Sequence, residues 1–323
     1  MEHRALGKTG LEVSRLGYGA WGIGKAMWVG ADDDESLRAL RRAFEHGVTF
    51  VDTALGYGDG HSESLVGRAV REWRRPVAVA TKIPPKNSQW PARPGTPADD
   101  AYPADWVVAC TERSLRNLGL ETIDVQQFHV WSDEWVGRGS WLEAVERLKA
   151  DGKIRWFGVS INDHQPANAL ELIASGAVDS VQVIYNVFEQ SPEDALLPAA
   201  QAAGVGVIAR VPFDEGGLTG RIRPETEFPE GDWRGRYFRG DRRREVWERV
   251  QAIAGDLDVP LERLPEIALR FCLSHPAVST VIAGMRSLRN VDANAAAAEA
   301  GPLDARELEL LRAHRWVRNF YGD

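Results

Sequence analysis

The chain has 323 residues, of which 44% are hydrophobic, and its formal net charge is −8. This length and hydrophobic content can bury one large core, and we predict a single domain over residues 1–323. The acidic charge argues against a nucleic-acid partner and against binding to an anionic membrane. We expect a cytoplasmic protein, because the sequence shows no apolar leader, no disulfide framework and no apolar run of the roughly 18 residues that a membrane helix needs.

Short apolar runs alternate with amphipathic stretches along most of the chain. The apolar runs predict buried strands, and the amphipathic stretches predict helices. Strands that are apolar throughout and alternate with helices are typical of a parallel sheet covered on both faces. The predicted strands are residues 15–21, 49–54, 77–83, 123–130, 154–160, 180–186, 205–211 and 279–285. The predicted helices are residues 33–46, 63–74, 104–118, 141–151, 166–175, 193–203, 260–274 and 287–299.

Eight strand–helix units in a chain of this length favour an α/β fold of the closed (β/α)8 TIM-barrel type. A doubly wound open sheet is the main alternative, but no G-x-G-x-x-G motif follows the first strand. Three segments lie outside the repeat. Residues 4–15 predict an N-terminal β-hairpin that could close the bottom of the barrel, residues 213–243 form a long Gly-, Pro- and Arg-rich connection that we expect to be functional, and the tail from Asp304 predicts an extra C-terminal helix.

Polar residues that suit acid catalysis follow three successive predicted strands. In a barrel of this type, catalytic residues lie at the C-terminal ends of the strands. A tyrosine has a pKa of about 10, and a nearby ammonium favours the phenolate and lowers that pKa. A neutral histidine can hydrogen-bond and orient a substrate oxygen, so the set predicts protonation of a carbonyl oxygen as a hydride reaches its carbon. We call these residues the catalytic group: Asp52, Tyr57, Lys82 and His129.

Each member of the catalytic group also has a simpler explanation when it is taken alone. An aspartate at a strand end is usually a turn former, a tyrosine usually packs, a lysine before proline is usually solvated, and a histidine in an apolar run is usually a satisfied core residue. Four chemically matched residues at three successive strand ends would be a rare coincidence. We therefore favour the catalytic interpretation.

The stretch DTALGYGDGHSE, residues 52–63, resembles the D-T-A-x-x-Y-G…S-E signature of the aldo-keto reductases. The resemblance runs from LGYGAWGIG at residues 16–24 to VIAGMRSLRNVDAN at residues 281–294. It implies a (β/α)8 barrel that reduces carbonyl compounds with NAD(P)H. It also implies the roles of the catalytic group: Tyr57 donates the proton, Lys82 and Asp52 tune it, and His129 orients the carbonyl.

The same resemblance implies a site for NADPH, with NADH not excluded. Ser160 and Gln182 match the residues that hold the nicotinamide carboxamide. Ile161 stands where the family usually has asparagine, so either Asn162 reaches in from one place later or that hydrogen bond is missing. Arg286 is the best match for a contact to the 2′-phosphate. The implied cofactor residues are Gly19, Ala20, Trp21, Ser160, Asn162, Gln182, Arg210, Pro212, Gly217, Leu218, Gly284, Arg286, Asn290 and Asn294.

Arg210 departs from the family pattern, in which Tyr or Trp at this position stacks on the nicotinamide. A guanidinium is planar and can also stack on a ring, and its permanent charge would disfavour the cationic oxidised cofactor. An ion pair with Asp214 or Glu215 that faces away from the ring is the alternative, and a contact with an anionic substrate is a third possibility.

Four tryptophans on loops or strand ends predict an aromatic wall for the substrate pocket: Trp21, Trp28, Trp90 and Trp131. Such a wall suits small apolar or sugar-like carbonyl compounds, although each tryptophan could instead be a packing residue. A cofactor-sensing barrel with weak catalysis and a sugar 1-dehydrogenase that works in the oxidative direction remain alternatives. A metal-dependent barrel hydrolase is a further rival, but no H-x-H or carboxylate cluster is present, so we expect no metal. The oligomeric state is not readable from the sequence.

Overall fold

A short antiparallel hairpin precedes the barrel in the structure, a computed structural model that describes residues 1–322. Its strands are β1 (His3–Ala5) and β2 (Glu12–Ser14). Leu6 and Val13 are fully buried and pack with Phe50, the first residue of its strand, inside the bottom of the barrel. The hairpin therefore closes the barrel from below, as the sequence predicted.

Eight parallel strands of residues 1–322 form a closed barrel in which each strand pairs with the next along the chain and the last pairs with the first. This closure excludes the open sheet and confirms the predicted (β/α)8 barrel. Each strand coincides with a predicted one. The barrel strands are β3 (Leu16–Gly19), β4 (Phe50–Asp52), β5 (Ala78–Ile83), β6 (Ile123–Phe128), β7 (Ile154–Ser160), β8 (Ser180–Ile184), β9 (Gly206–Arg210) and β10 (Val278–Gly284).

Helices connect the strands and cover the outside of the barrel. Their ends follow local chemistry: α1 begins after Asp32, whose side chain accepts a 2.8 Å hydrogen bond from the Glu35 amide. No helix of residues 1–322 is long and apolar enough to cross a membrane. The helices are α1 (Asp33–Glu45), α2 (His61–Trp73), α3 (Ala98–Ala101), α4 (Ala104–Leu118), α5 (Trp141–Ala150), α6 (Leu170–Ser175), α7 (Leu196–Ala203), α8 (Trp233–Tyr237), α9 (Arg242–Leu257), α10 (Leu264–Ser274), α11 (Leu288–Glu299) and α12 (Ala305–Arg312).

The segment after β9 is more ordered than the sequence analysis predicted. It begins with a 3-10 segment, Asp214–Thr219, that is kinked at Glu215 and Gly216. It continues through α8 and leads into the sixteen-residue helix α9, which was not predicted at all. The buried residues of α9, Val246, Val250 and Ile253, are spaced as one face of a helix requires. That spacing could have revealed α9, but the helix begins with three arginines, which continue the Arg-rich composition of the predicted connection.

The C-terminal segment returns to the top of the barrel, where the strands end. Helix α12 confirms the predicted extra helix, and its Asp304 and Glu307 form a reciprocal capping box. Beyond α12, the Trp316 amide donates a 2.9 Å hydrogen bond to the carbonyl of Phe188, in the loop after β8. The tail thus lies beside the strand ends that carry the predicted site.

Candidate active site

Three neighbouring strands bring the catalytic group together at the top of the barrel. Asp52 is the last residue of β4, and Lys82 lies near the end of β5. The Lys82 ammonium forms a buried ion pair with Asp52 and donates hydrogen bonds to the Thr53 carbonyl at 2.8 Å and to the Tyr57 hydroxyl at 3.3 Å. The structure therefore places the Lys82 amino group against the phenol oxygen.

Burial controls the protonation of Tyr57. Removal from water raises the pKa of Tyr57 above its usual value, and the Lys82 ammonium opposes that rise without cancelling it. The ammonium does lower this pKa, as expected, but desolvation is the larger effect and the net shift is upward. Tyr57 carries its proton at neutral pH, which is the state that a proton donor requires.

His129 follows the last residue of β6 and faces Tyr57. Its ring centroid lies 5.6 Å from that of Tyr57 and 4.4 Å from that of Trp90, and both contacts are edge-on. Burial, together with the positive charges of Lys82 and Arg210, holds the pKa of His129 well below its usual range. His129 is thus a neutral imidazole with one N–H to donate, and its Nδ1 is buried without a partner in residues 1–322.

Two glutamines complete the surroundings of Asp52. Gln182, which pairs in register with Ser160 of β7, donates its Nε2 to Asp52 Oδ2 at 2.8 Å. Gln127 donates to the same oxygen at 3.0 Å and was missed by the sequence analysis. Its position two residues before His129 places it on the same, inward face of β6, and that period of two could have identified it.

Arg210 ends β9 and is paired with a residue other than the two that were predicted. Its Nη2 donates to Asp163 at 2.7 Å and to the Ile161 carbonyl at 3.0 Å. The predicted partners, Asp214 and Glu215, lie in the segment that follows β9. They accept hydrogen bonds from Tyr237 and Tyr321. The ion-pair alternative is therefore supported with a different acid, which comes from the loop after β7.

The side chain of Asn162 faces the loop after β5. Its amide nitrogen donates to the Ala92 carbonyl at 3.4 Å and to Gln165 at 3.1 Å, and its oxygen accepts from the Ala92 amide at 3.3 Å. Both ends of its amide are thus engaged within the protein, and the contact of Asn162 with the cofactor stays a prediction.

The residues predicted to bind the adenosine end of the cofactor lie where β10 passes into α11. Arg286 is half-buried, its Nη1 donates to the Val29 carbonyl at 2.9 Å, and its guanidinium lies 5.9 Å from the Trp28 ring. Asn290 lies in the first turn of α11, and Asn294, one turn later, has a buried Nδ2 with no partner in residues 1–322. Asn294 therefore has an unused donor at this end of the barrel.

The other implied cofactor residues line the top of the barrel between β3, β9 and β10. Strands β3 and β10 approach closely here, since a Cβ at Gly19 would lie 3.2 Å from the Ala283 carbonyl oxygen. Ala20, Pro212 and Leu218 are buried. The residues along this edge are Gly19, Ala20, Trp21, Pro212, Gly217, Leu218 and Gly284.

Comparison with known proteins agrees with this geometry. The family model described as the aldo/keto reductase family matches residues 15–315. The chain belongs to the aldo/keto reductase family. It is 35% identical over 236 residues to aldo-keto reductase YhdN of Bacillus subtilis, a match that covers 72% of this chain and 68% of that protein. The predicted family is confirmed, and with it the class of the enzyme: an NAD(P)H-dependent oxidoreductase of carbonyl and alcohol groups.

The chain is also similar to solved structures of aldo-keto reductases. The chain is similar to the holo form of aldo-keto reductase AKR11C1 from Bacillus halodurans, with a TM-score of 0.77 and 29% identity over 98% of this chain and 96% of that one. It is also similar to an aldo-keto reductase from Klebsiella pneumoniae in complex with NADPH, with a TM-score of 0.70 and 26% identity over 99% and 98% of the two chains.

The aromatic wall of this aldo-keto reductase differs from the predicted one. Trp131 is fully buried against Trp135 and Trp141, so with no accessible surface it cannot contact a substrate, and its assignment to the pocket is wrong. Trp90 is 48% exposed and lies over His129, as a pocket residue should. Trp28 lies edge-on to Trp21 at 5.5 Å and beside the guanidinium groups of Arg234 and Arg286.

Two aromatic residues from segments outside the repeat were missed. The Trp233 ring lies 6.2 Å from that of Trp21, and the Tyr321 ring stacks on Trp233 at 5.8 Å. Trp21 in turn stacks on Tyr57 at 6.2 Å. A continuous aromatic surface therefore runs from the proton donor to the C-terminal tail.

The tail is tied to the 3-10 helix that follows β9. Asp214 accepts a 2.9 Å hydrogen bond from Tyr237 and forms an ion pair with Arg318. Glu215 accepts a hydrogen bond from the Tyr321 hydroxyl, and burial raises the pKa of Glu215 to about 7. Two adjacent buried carboxylates thus fix the tail above the strand ends.

Replacing Glu215 with glutamine should remove a loss of stability that the wild-type protein shows as the pH rises. The usual pKa of this carboxyl is 4.5, so the folded state holds an extra proton between that pH and about 7, and wild type loses stability across this window. At about 1.4 kcal/mol per pKa unit, ionisation costs the folded state up to about 3 kcal/mol. Urea unfolding from about pH 5 to 8 should show wild type weakening relative to Glu215→Gln. The exposed Glu225→Gln is the control, and parallel curves for wild type and Glu215→Gln would contradict the assignment.

Proposed function

We propose that this enzyme reduces aldehyde and ketone carbonyls to alcohols with NADPH, and that Tyr57 donates the proton. The observation that carries the proposal is the Lys82 ammonium, which contacts both Asp52 and the Tyr57 hydroxyl in a buried site. Bound NADPH supplies the hydride for the carbonyl carbon. Tyr57 gives its proton to the carbonyl oxygen, Lys82 stabilises the phenolate that remains, and the His129 N–H orients the oxygen.

The cofactor assignments follow from the family resemblance and, at Asn294, from a buried Nδ2 with no partner in residues 1–322. Ser160, Gln182 and Arg210 surround the proposed nicotinamide end, and Arg286, Asn290 and Asn294 the adenosine end. Because Asp163 neutralises Arg210, the bias of that arginine against the oxidised ring is smaller than an unpaired charge would give.

A panel of aldehydes, ketones and sugars tests the reaction directly. Loss of the reduced cofactor is followed optically with NADPH and with NADH, and the corresponding alcohols are assayed in the reverse direction. We expect turnover of reactive aldehydes with NADPH. Cofactor binding without turnover of any member would contradict carbonyl reduction and favour a sensing role.

Replacing Arg286 with alanine should weaken NADPH binding and leave NADH binding nearly unchanged. A charge-assisted contact is worth roughly 1.5–3 kcal/mol, which corresponds to about one to two decades in Kd. Fluorescence titration of both cofactors measures the effect. Arg289→Ala, at an exposed arginine three residues away in the first turn of α11, is the control. Equal losses for both cofactors would show that Arg286 acts only through its bond to Val29.

A further inference from the structure

Both oxygens of the buried Asp52 carboxylate are engaged, and they have different partners. Oδ1 contacts the Lys82 ammonium, while Oδ2 accepts from Gln182 at 2.8 Å and from Gln127 at 3.0 Å. A third hydrogen bond, from Gln182 Nε2 to Gln127 Oε1 at 3.1 Å, joins the two amides. We call Asp52, Gln127 and Gln182 the amide–carboxylate triangle.

The orientation of both amides follows from the chemistry of a carboxylate. An ionised carboxylate only accepts hydrogen bonds, so each glutamine must turn its Nε2 toward Asp52. Gln127 Oε1 then receives the second N–H of Gln182. Gln182 Oε1 is left without a donor from residues 1–322 and is the one atom of the triangle free to accept from a ligand.

The barrel leaves space for the side chain of Gln127, whose buried amide is costly to desolvate. Gln127 pairs in register with Lys82 on β5 and with Gly158 on β7. A Cβ at Gly158 would lie 3.1 Å from Gln127 Cγ and 2.5 Å from Ser180 Oγ, so the missing side chain there leaves space for the glutamine. Gln127 is fully buried, where an apolar residue would avoid the desolvation of an amide. Packing alone does not explain it.

We propose that Gln127 is a positioning residue for carbonyl reduction. By donating a hydrogen bond to Asp52, it weakens the attraction of that carboxylate for Lys82 and so keeps Lys82 within reach of Tyr57. By accepting a hydrogen bond from Gln182, it turns Gln182 Oε1 toward the bound nicotinamide carboxamide. The inference rests on the proposed function and extends it. Without Gln127, one donor to Oδ2 is lost, Asp52 attracts Lys82 more strongly, and the 3.3 Å contact between Lys82 and Tyr57 lengthens.

Two substitutions and one matched control test the proposal. Gln127→Met keeps the size of the side chain and removes the amide, whereas Gln127→Glu keeps the shape and can donate to Asp52 only when protonated. Gln126→Met is the control, because Gln126 is equally buried on the same strand and points away from the triangle, toward the Thr81 carbonyl at 3.5 Å.

We expect kcat of Gln127→Met to fall about tenfold to a hundredfold below that of Gln126→Met, the range for a hydrogen bond to a charged group. The Tyr57 pKa is read in the cofactor-free protein from tyrosinate absorbance, as the difference from the same variant carrying Tyr57→Phe. It should be higher in Gln127→Met, because Lys82 has the larger effect of the two cations that lower it. The activity of Gln127→Glu relative to wild type should recover as the pH falls, while that of Gln127→Met should stay flat.

Equal kcat for the Gln127→Met and Gln126→Met variants, an unmoved Tyr57 titration, or identical pH profiles for the two Gln127 variants would each overturn the proposal. If Gln127→Met unfolds more easily than the control, the pH profile of Gln127→Glu decides, since it compares one variant with itself. If wild type reduces no carbonyl compound, the proposed function fails, and the Tyr57 titration still shows whether Gln127 positions Lys82.

Discussion

Replacing Tyr57 with phenylalanine should lower kcat by about 10²–10⁴-fold, the usual contribution of a general acid, and should leave cofactor affinity nearly unchanged. The substitution removes one hydroxyl and keeps the ring that stacks on Trp21. Lys82 retains its bonds to Asp52 and to the Thr53 carbonyl, so the buried ion pair survives. Single-turnover rates with reduced cofactor isolate the chemical step, and fluorescence titration reports binding.

Tyr18 offers a matched control for this experiment. It is fully buried in β3, and its hydroxyl has no partner in residues 1–322. Tyr18→Phe therefore removes the same atom from the same barrel without breaking a hydrogen bond, and it should keep wild-type kcat. If Tyr57→Phe also kept wild-type kcat while chemistry limits the rate, another residue would have to donate the proton.

The fold was predictable because its signals are local and repeated. Each strand is a short apolar run, and each predicted helix shows apolar residues at helical spacing, so eight repeats of one pattern support one another. Helix α9 was missed since it lies outside the repeat and begins in a run of arginines. The closed sheet confirms the topology, because in-register pairing of β10 with β3 leaves no free edge.

The convergence of the residues in the catalytic group was predictable for a topological reason. Parallel strands all end at the same face of the barrel, so reactive residues at successive strand ends must converge. The sequence did not reveal Gln127, because the amide of a glutamine is neither an acid, a base nor a nucleophile. Its role depends on distances to Asp52 and Gln182, which are far apart in the sequence.

The remaining differences between the sequence-based predictions and the structure concern long-range packing and the balance of opposing electrostatic effects. Asp163, which pairs with Arg210, lies on the loop after β7, and nothing in the sequence distinguishes it from the acids closer along the chain. Tyr321 reaches the site from the tail. The direction of the Tyr57 pKa shift depends on whether burial or the Lys82 charge dominates, and only the structure supplies the burial.

Replacing Lys82 with methionine should abolish activity and also destabilise the protein. The substitution leaves Asp52 as an unpaired charge in the barrel, and breaking a buried pair by removing one partner costs about 3–5 kcal/mol. Activity should fall at least as far as in Tyr57→Phe, because Lys82 is the cation that stabilises the phenolate. Urea unfolding measures the stability, and single-turnover rates measure the chemistry.

The double variant Lys82→Met/Asp52→Asn separates these two effects. Removing both charges avoids the isolated carboxylate, and the amide oxygen that the second substitution introduces can still accept from Gln127 and Gln182, so most of the lost stability should return. The loss of catalysis should remain, because no cation contacts Tyr57. If activity returned together with stability, Lys82 would serve the fold alone, and the role of the ion pair in proton transfer would have to be abandoned. Recovery of stability without recovery of turnover would establish that the buried cation is retained for its contact with the phenol, despite the cost of desolvating it.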